Sequence, residues 1–173
     1  MNRNHHKVDS SKTRQDLTGE HFIGDAGQII LAILFAVVWI TDSFFFHYTT
    51  FLNEFLSQWL RLPPAFFFLI LSGYLARTGL SIVFGEIRED STVIRKGVFN
   101  WVKHPIYLSE ILLYLGMLLI SVSLAAGVVW LMAIAFLHYI SRLEEKLLLA
   151  RFGEAYEQYM QEVPMWIPRL RKN

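Results

Sequence analysis

YLSEILLYLGMLLISVSLAAGVVWLMAIAFLHYI, residues Tyr107–Ile140, runs for 34 residues with one charged side chain, Glu110. As a single straight helix it would measure about 51 Å, against a hydrocarbon core of about 30 Å. It therefore tilts severely or folds back on itself. Ser121, Ser123 and Gly127 sit at its middle, where a tight turn would use small or polar residues. Charge placement separates the two arrangements. The Gly85–Lys103 loop before it carries Arg88, Arg95, Lys96 and Lys103, and the segment after it carries Arg142, Lys146, Arg151, Arg169, Arg171 and Lys172. Short cytoplasmic loops are rich in Lys and Arg, and only a hairpin puts both basic segments on one side. Its arms, about 15 residues each, are short for a full crossing.

The rest of the chain fits the same class. It is 54% hydrophobic and 15% aromatic, and the apolar residues are clustered. Ile29–Phe46 is interrupted only by Thr41, Asp42 and Ser43, and Ala65–Phe84 contains one charge, Arg77. Spanning helices need about 20 mostly apolar residues. The expectation is an all-α, polytopic membrane helix bundle of about four transmembrane segments, with spans near Gln28–His47 and Ala65–Phe84, then the hairpin. Residues 1–24 read as a polar tail and 25–173 as one membrane domain. Thr50–Pro64 reads as a loop, with Pro63-Pro64 marking the start of the second span. No small-residue cleavage pattern follows the first span, so it reads as retained. Both termini are expected on the cytoplasmic side.

There is no cysteine, which excludes thiolate catalysis and Cys-ligated metals, and no metal centre is expected. The net charge of +1 is partitioned between loops and points to no nucleic-acid partner. The expected partners are the lipid membrane and a lipophilic molecule from it.

The C-terminal stretch SRLEEKLLLARFGEAYEQYMQEVPMWIPRL reads as a continuation of the last span to Phe152. Gly153 is placed to end or bend it, a second helix follows, and Pro164 and Pro168 stop that.

Four groups carry possible chemistry. In Lys103-His104-Pro105, a titratable His precedes a Pro at the first helical position. That arrangement also suits an ordinary helix start, and Tyr107 suits an aromatic belt. Glu144-Glu145 lies just beyond the apolar run. A carboxylate there can accept both hydroxyls of a nucleoside ribose, or the pair can be a solvated face bracing Arg142 or Lys146. Adjacent residues lie about 100° apart on a helix, so at most one is expected to face a pocket. Asp42 and Arg77 are intramembrane charges that should not meet if the spans are antiparallel. Glu110 and His138 both have positions from which to face a cytoplasmic pocket.

Taken in order, GVFNWVKHPIY, an apolar hairpin and EEKLLLARFGEAYEQYMQEVPMWIP resemble the isoprenylcysteine carboxyl methyltransferase and phospholipid methyltransferase group of membrane enzymes. The group's pattern Gly-x-Tyr-x-x-x-Arg-His-Pro-x-Tyr falls on Gly97, Phe99, Lys103, His104, Pro105 and Tyr107. Its second half falls on Glu144, Glu145, Leu148, Phe152, Gly153, Tyr156, Tyr159, Val163, Pro164 and Pro168. The resemblance covers about residues 65–170.

The resemblance implies S-adenosyl-L-methionine bound at the cytoplasmic edge, within about residues 85–170. It implies cofactor contacts from Ser91, Thr92, Val93, Ile94, Phe99, His104, Pro105, Ile106, Tyr107 and Glu144, with Glu145 beside it. The acceptor it implies is membrane-borne, with a prenyl, isoprenoid or phospholipid tail. Three departures matter. Lys103 stands for Arg and loses the bidentate fork, Phe99 stands for Tyr, and Ile140 stands where carboxyl methyltransferases place an Arg. Arg142 is nearby but on another face. Candidate catalytic residues are Arg142, His138 and Glu110, the latter two as bases for an ammonium acceptor. A competing class is an NADPH-dependent membrane reductase of the sterol-reductase type, which Arg142, Lys146 and Arg151 keep open and the Glu pair disfavours. A non-catalytic membrane protein is the third.

Overall fold

A computed structural model describes residues 22–84 and 92–168. Ser91 and residues 1–21 of the polar tail lie outside it. Every regular element among the described residues is helical. α1 (Phe22–Ile40) continues through a π-helical turn, Thr41–Phe46, and a short 3-10 turn follows at Phe51–Glu54. α2 is Gln58–Phe84, α3 Pro105–Ser121, α4 Leu124–Phe152 and α5 Glu154–Glu162, with a 3-10 turn at Gly97–Asn100 before α3.

Gly24–Phe46, α2 and α4 are long and apolar enough to cross a membrane. α3 is apolar but has 17 residues, which is about 26 Å. The hairpin is therefore unequal: a short α3 and a 29-residue α4 that outruns the bilayer. Large apolar side chains point outward from α1 (Ile29, Ile30, Ile33), α2 (Phe66, Phe67, Ile70) and α4 (Val128, Leu131). Such faces are stable against lipid, not water.

Small residues set how closely the helices approach, as is usual where lipid removes any hydrophobic drive between them. Along the α2–α3 contact, a β-carbon on Gly116 would lie 2.8 Å from Leu69, and one on Gly79 would lie 2.9 Å from Ile106. Ser72 Oγ donates to the Ser109 carbonyl in the same interface, at 2.7 Å. α1 lies along α4, with Gly27 under the Phe136 ring. Phe35 of α1 stacks on Tyr114 of α3 at 4.2 Å between ring centroids. Around that pair, Leu118, Ala126, Val129 and Ala133 close the core.

Two expectations are corrected here. α2 begins at Gln58, so Pro63-Pro64 lie inside the helix and not before it. Arg61, 7% exposed, anchors this early turn: its Nη1 donates to the Ile120 carbonyl at 2.7 Å and also to the Asn53 side chain. The hairpin turn is made by Val122, in a left-handed conformation, and Ser123, whose Oγ accepts from Ala126 N–H to cap α4. Gly127 lies inside α4 and takes no part.

Asp42 is buried at this same end, away from Arg77, which is exposed on α2. Its carboxylate accepts from Thr49 N–H, Thr49 O–H and Ser123 O–H. Thr49 in turn accepts from the first amides of α4, through its carbonyl from Leu124 and through Oγ1 from Ala125. Negative charge at a helix N-terminus is favourable.

Candidate functional site

The opposite end of the bundle is where the polar loop enters α3 and α4 leaves the apolar core. Pro105 opens α3 and His104 is its N-terminal flanking residue. Proline suits this position because the first helical amides have no partner in the helix. Before it, Gly97 takes φ +56° and turns the loop into the Gly97–Asn100 turn. Val98 and Phe99 are buried there against Leu75 of α2, joined by Ile94.

Beyond α4, Gly153 has φ +54° and redirects the chain into α5. Tyr156, Tyr159 and Val163 form a cluster with Val93, Leu148 and Phe152. Tyr159 O–H donates to the Phe99 carbonyl at 2.7 Å. Burial raises the Tyr159 phenol, and the adjacent Arg95 acts the other way. Arg95 also pairs with Glu162 at 3.0 Å and donates to the Ala155 carbonyl. The segment after α5 then crosses the start of α3. Its Pro164 and Met165 carbonyls accept from the Lys103 and His104 amides at 2.9 and 3.4 Å. Loop, α3 and tail are thus tied together by main-chain bonds.

Inside this frame five side chains converge. Lys103 Nζ lies 2.6 Å from Glu145 Oε1, with 8% and 5% of the side chains exposed. His104 stands between the acidic pair: Nδ1 is 3.5 Å from Glu144 Oε2, and Nε2 is 3.6 Å from Glu145 Oε1. Those are ion-pair separations, too long for good hydrogen bonds. Tyr107 stacks on His104 with rings 3° from parallel and donates its O–H to Glu144 Oε1. Burial alone lowers the His104 pKa, but the two carboxylates outweigh it and hold it above the ordinary imidazole value. Both members of the Glu pair therefore reach His104, where at most one was expected to face inward. Glu145 braces Lys103, and Glu144, at 15% side-chain exposure, is the more open of the two.

The other candidates divide. Ile106 and Pro105 pack on Gly79 of α2, so Ile106 serves the helix contact. Thr92 is exposed, and Val93 and Ile94 are packing residues whose side chains support the tail and the loop. Glu110 is deeper, inside α3, and accepts from Tyr114 O–H at 2.5 Å. His138 lies on α4 with its ring 5.5 Å from that of Trp166 in the tail, edge to face. Arg142 is 63% exposed and 3.6 Å from Glu145. Sequence reasoning gave no functional part to Ser141, one turn before Glu145 on α4, or to Trp166, whose ring packs on His138. Both are ordinary types on an apolar helix and an interfacial tail, and only burial without a partner marks them.

The structure defines an integral membrane protein whose polar site sits where a helical hairpin meets its basic flanking segments. Residues 66–155 match the model of the phospholipid methyltransferase family, and the chain belongs to that family. It is 32% identical over 114 residues to protein-S-isoprenylcysteine O-methyltransferase of Schizosaccharomyces pombe, a match covering 58% of this chain and 47% of that protein. It is 30% identical over 84 residues to the cobalt-zinc-cadmium resistance protein CzcN of Cupriavidus metallidurans, covering 48% of this chain and 38% of that protein. The matches span less than half the length of either relative. No solved structure matches the chain.

Proposed function

We propose that the chain is an S-adenosyl-L-methionine-dependent methyltransferase acting on a lipophilic acceptor drawn from the bilayer. The observation that carries this is the His104–Tyr107–Glu144–Glu145–Lys103 cluster at the N-terminus of α3. It supplies carboxylate acceptors, a ring and a protonated donor at the polar edge of a membrane helix pair. The cofactor's chemistry fits these groups. His104 Nε2 is buried without a hydrogen-bond partner, and Glu145 Oε1, although close to Lys103, has no well-formed hydrogen bond. Glu144, at the rim, suits the ribose hydroxyls, and the α3 dipole favours a negative group near His104.

When bound, the sulfonium supplies a methyl group already activated for in-line displacement. The chain's own work is alignment and exclusion of water, which together are worth about 7–11 kcal/mol. Lys103 holds Glu145, Tyr107 holds Glu144, and the tail closes the site from the aqueous side. A carboxylate or thiolate acceptor needs no base. An ammonium acceptor has to lose a proton first, and Glu110 and His138 lie on the membrane side of the cluster for that role.

The loop before α3 and the tail after α4 meet at one end of the bundle, while the α3–α4 turn lies at the other. Both segments are basic, so we place this end, the site and both termini in the cytoplasm. Residues 25–173 then act as one domain, with the cofactor held by about 85–170.

The test is thermal stability of the detergent-purified protein with S-adenosylhomocysteine and, separately, NADPH, in wild type and Glu144→Ala. At 100 times its dissociation constant a ligand specific to the native state adds about 2.7 kcal/mol. A shift with S-adenosylhomocysteine alone, reduced in Glu144→Ala, supports the reading. A shift with NADPH alone replaces it with a reductase. Purified phospholipid, isoprenoid-thiol and prenylcysteine panels then identify the acceptor.

A further inference from the structure

Among the described residues, five buried side-chain polar atoms lack a hydrogen-bond partner. One, Arg61 Nε, is at the hairpin-turn end. The other four are Ser141 Oγ and Trp166 Nε1, which have no polar partner, and His104 Nε2 and Glu145 Oε1, which face each other at 3.6 Å with Oε1 also ion-paired to Lys103; helix geometry places them on one side of α4. Ser141 is one turn from Glu145 and roughly 40° around the same side of α4, and His138 lies roughly 20° from Glu145. Trp166 packs on His138, and the residue before it receives the His104 amide.

The chain's other residues of these types show how unusual this is. Ser109, Ser81 and Thr41 each donate to a carbonyl in the preceding turn, which is what helical hydroxyls do. Ser141, fully buried, does not. Trp39 and Trp130 donate their indole N–H to the Met117 and Ile111 carbonyls. Trp166 has no such acceptor. Buried groups left unpaired are costly, so each needs an explanation.

We propose that Ser141 and Trp166 are binding residues for the amino-acid end of the cofactor, a role that rests on the methyltransferase reading. The four atoms present an indole donor, an imidazole nitrogen, a hydroxyl that donates or accepts, and a charged acceptor. A zwitterion is their complement: its carboxylate takes the Trp166 and Ser141 donors, and its ammonium takes Glu145. Adenine and ribose carry no anionic group for the Trp166 and Ser141 donors, and the ribose hydroxyls suit Glu144. None of the four atoms meets solvent with the tail in place, so ligand access requires the segment carrying Trp166 to lift from α4.

The test uses the full chain in detergent, as wild type, Ser141→Ala and Trp166→Phe. Melting temperature is measured without ligand, and affinity by calorimetry for S-adenosylhomocysteine and for 5′-methylthioadenosine, which lacks the amino-acid end. Removing an unpaired buried hydroxyl is neutral or stabilising, so unliganded Ser141→Ala should melt at or above the wild-type temperature, while Trp166→Phe, which also trims the ring packed on His138, is read by its ligand affinities. Affinity for S-adenosylhomocysteine should fall about tenfold in each, while 5′-methylthioadenosine binds all three alike. Lower unliganded melting with S-adenosylhomocysteine affinity intact makes the residues structural and overturns the proposal. Equal losses for both ligands overturn the assignment to the amino-acid end. If wild type binds neither ligand, the methyltransferase reading itself fails.

Discussion

Lys103 Nζ and Glu145 Oε1 are 2.6 Å apart and almost completely enclosed, joining the loop before α3 to the far part of α4. Removing one partner of such a pair leaves a buried charge without compensation, at a cost of about 3–5 kcal/mol. Lys103→Met should therefore lower the melting temperature sharply. Lys103→Met combined with Glu145→Met should cost less than the sum of the single changes, which a double-mutant cycle by thermal denaturation measures.

His104 makes this end of the protein pH-dependent. Its burial lowers the pKa, Glu144 and Glu145 raise it, and the net position is above 6.5. A group whose folded-state pKa is raised contributes fully below its unfolded value and loses that contribution as pH rises through the folded value. Wild-type melting temperature should thus decline relative to His104→Gln as pH rises above 6.5. Parallel curves for the two proteins would show that the imidazolium does not bridge the carboxylates.

Tyr107→Phe keeps the ring stacked on His104 and deletes the O–H that holds Glu144. The loss in stability should be about 1 kcal/mol. With Glu144 released at the rim, S-adenosylhomocysteine affinity should drop by about tenfold, read by calorimetry.

Asp42→Ala strips the acceptor from Thr49 N–H, Thr49 O–H and Ser123 O–H at the other end of the bundle. Leaving buried donors unmet should cost about 2–3 kcal/mol. Cofactor affinity should stay at the wild-type value, because no element of the site at the α3 N-terminus is touched.

Much of the frame was legible because it depends on local signals. The apolar lengths gave the spans, Pro105 gave the α3 start, and Gly153 gave the break after Phe152. The misread points are those where distant partners decide. Pro63 and Pro64 would ordinarily end or exclude a helix. Here Arg61, tied to the Ile120 carbonyl 59 residues away, holds the turn before them. Gly127 looks like the turn residue, yet the turn falls on β-branched Val122 because Asp42 and Thr49 fix the start of α4 from outside. The side chains of the candidate cluster were legible as residue types in order. Their pairing was not, since His104 reaching both glutamates depends on how the loop crosses α4. Ser141 carried no sequence signal at all, being one serine on a long apolar helix.

The clamp at the hairpin turn also has a consequence for how the protein is made. Asp42 and Ser123 are 81 positions apart, and Arg61 and Ile120 are 59 apart, so the acidic and basic groups of the first two helices emerge from the ribosome long before their later partners. Until residues 120–123 arrive, Asp42 lacks the Ser123 hydroxyl and Arg61 lacks the Ile120 carbonyl. The polar groups of the first two helices are therefore completed only once the α3–α4 hairpin is in place. The hairpin turn thus closes polar contacts that the first half of the chain cannot make by itself.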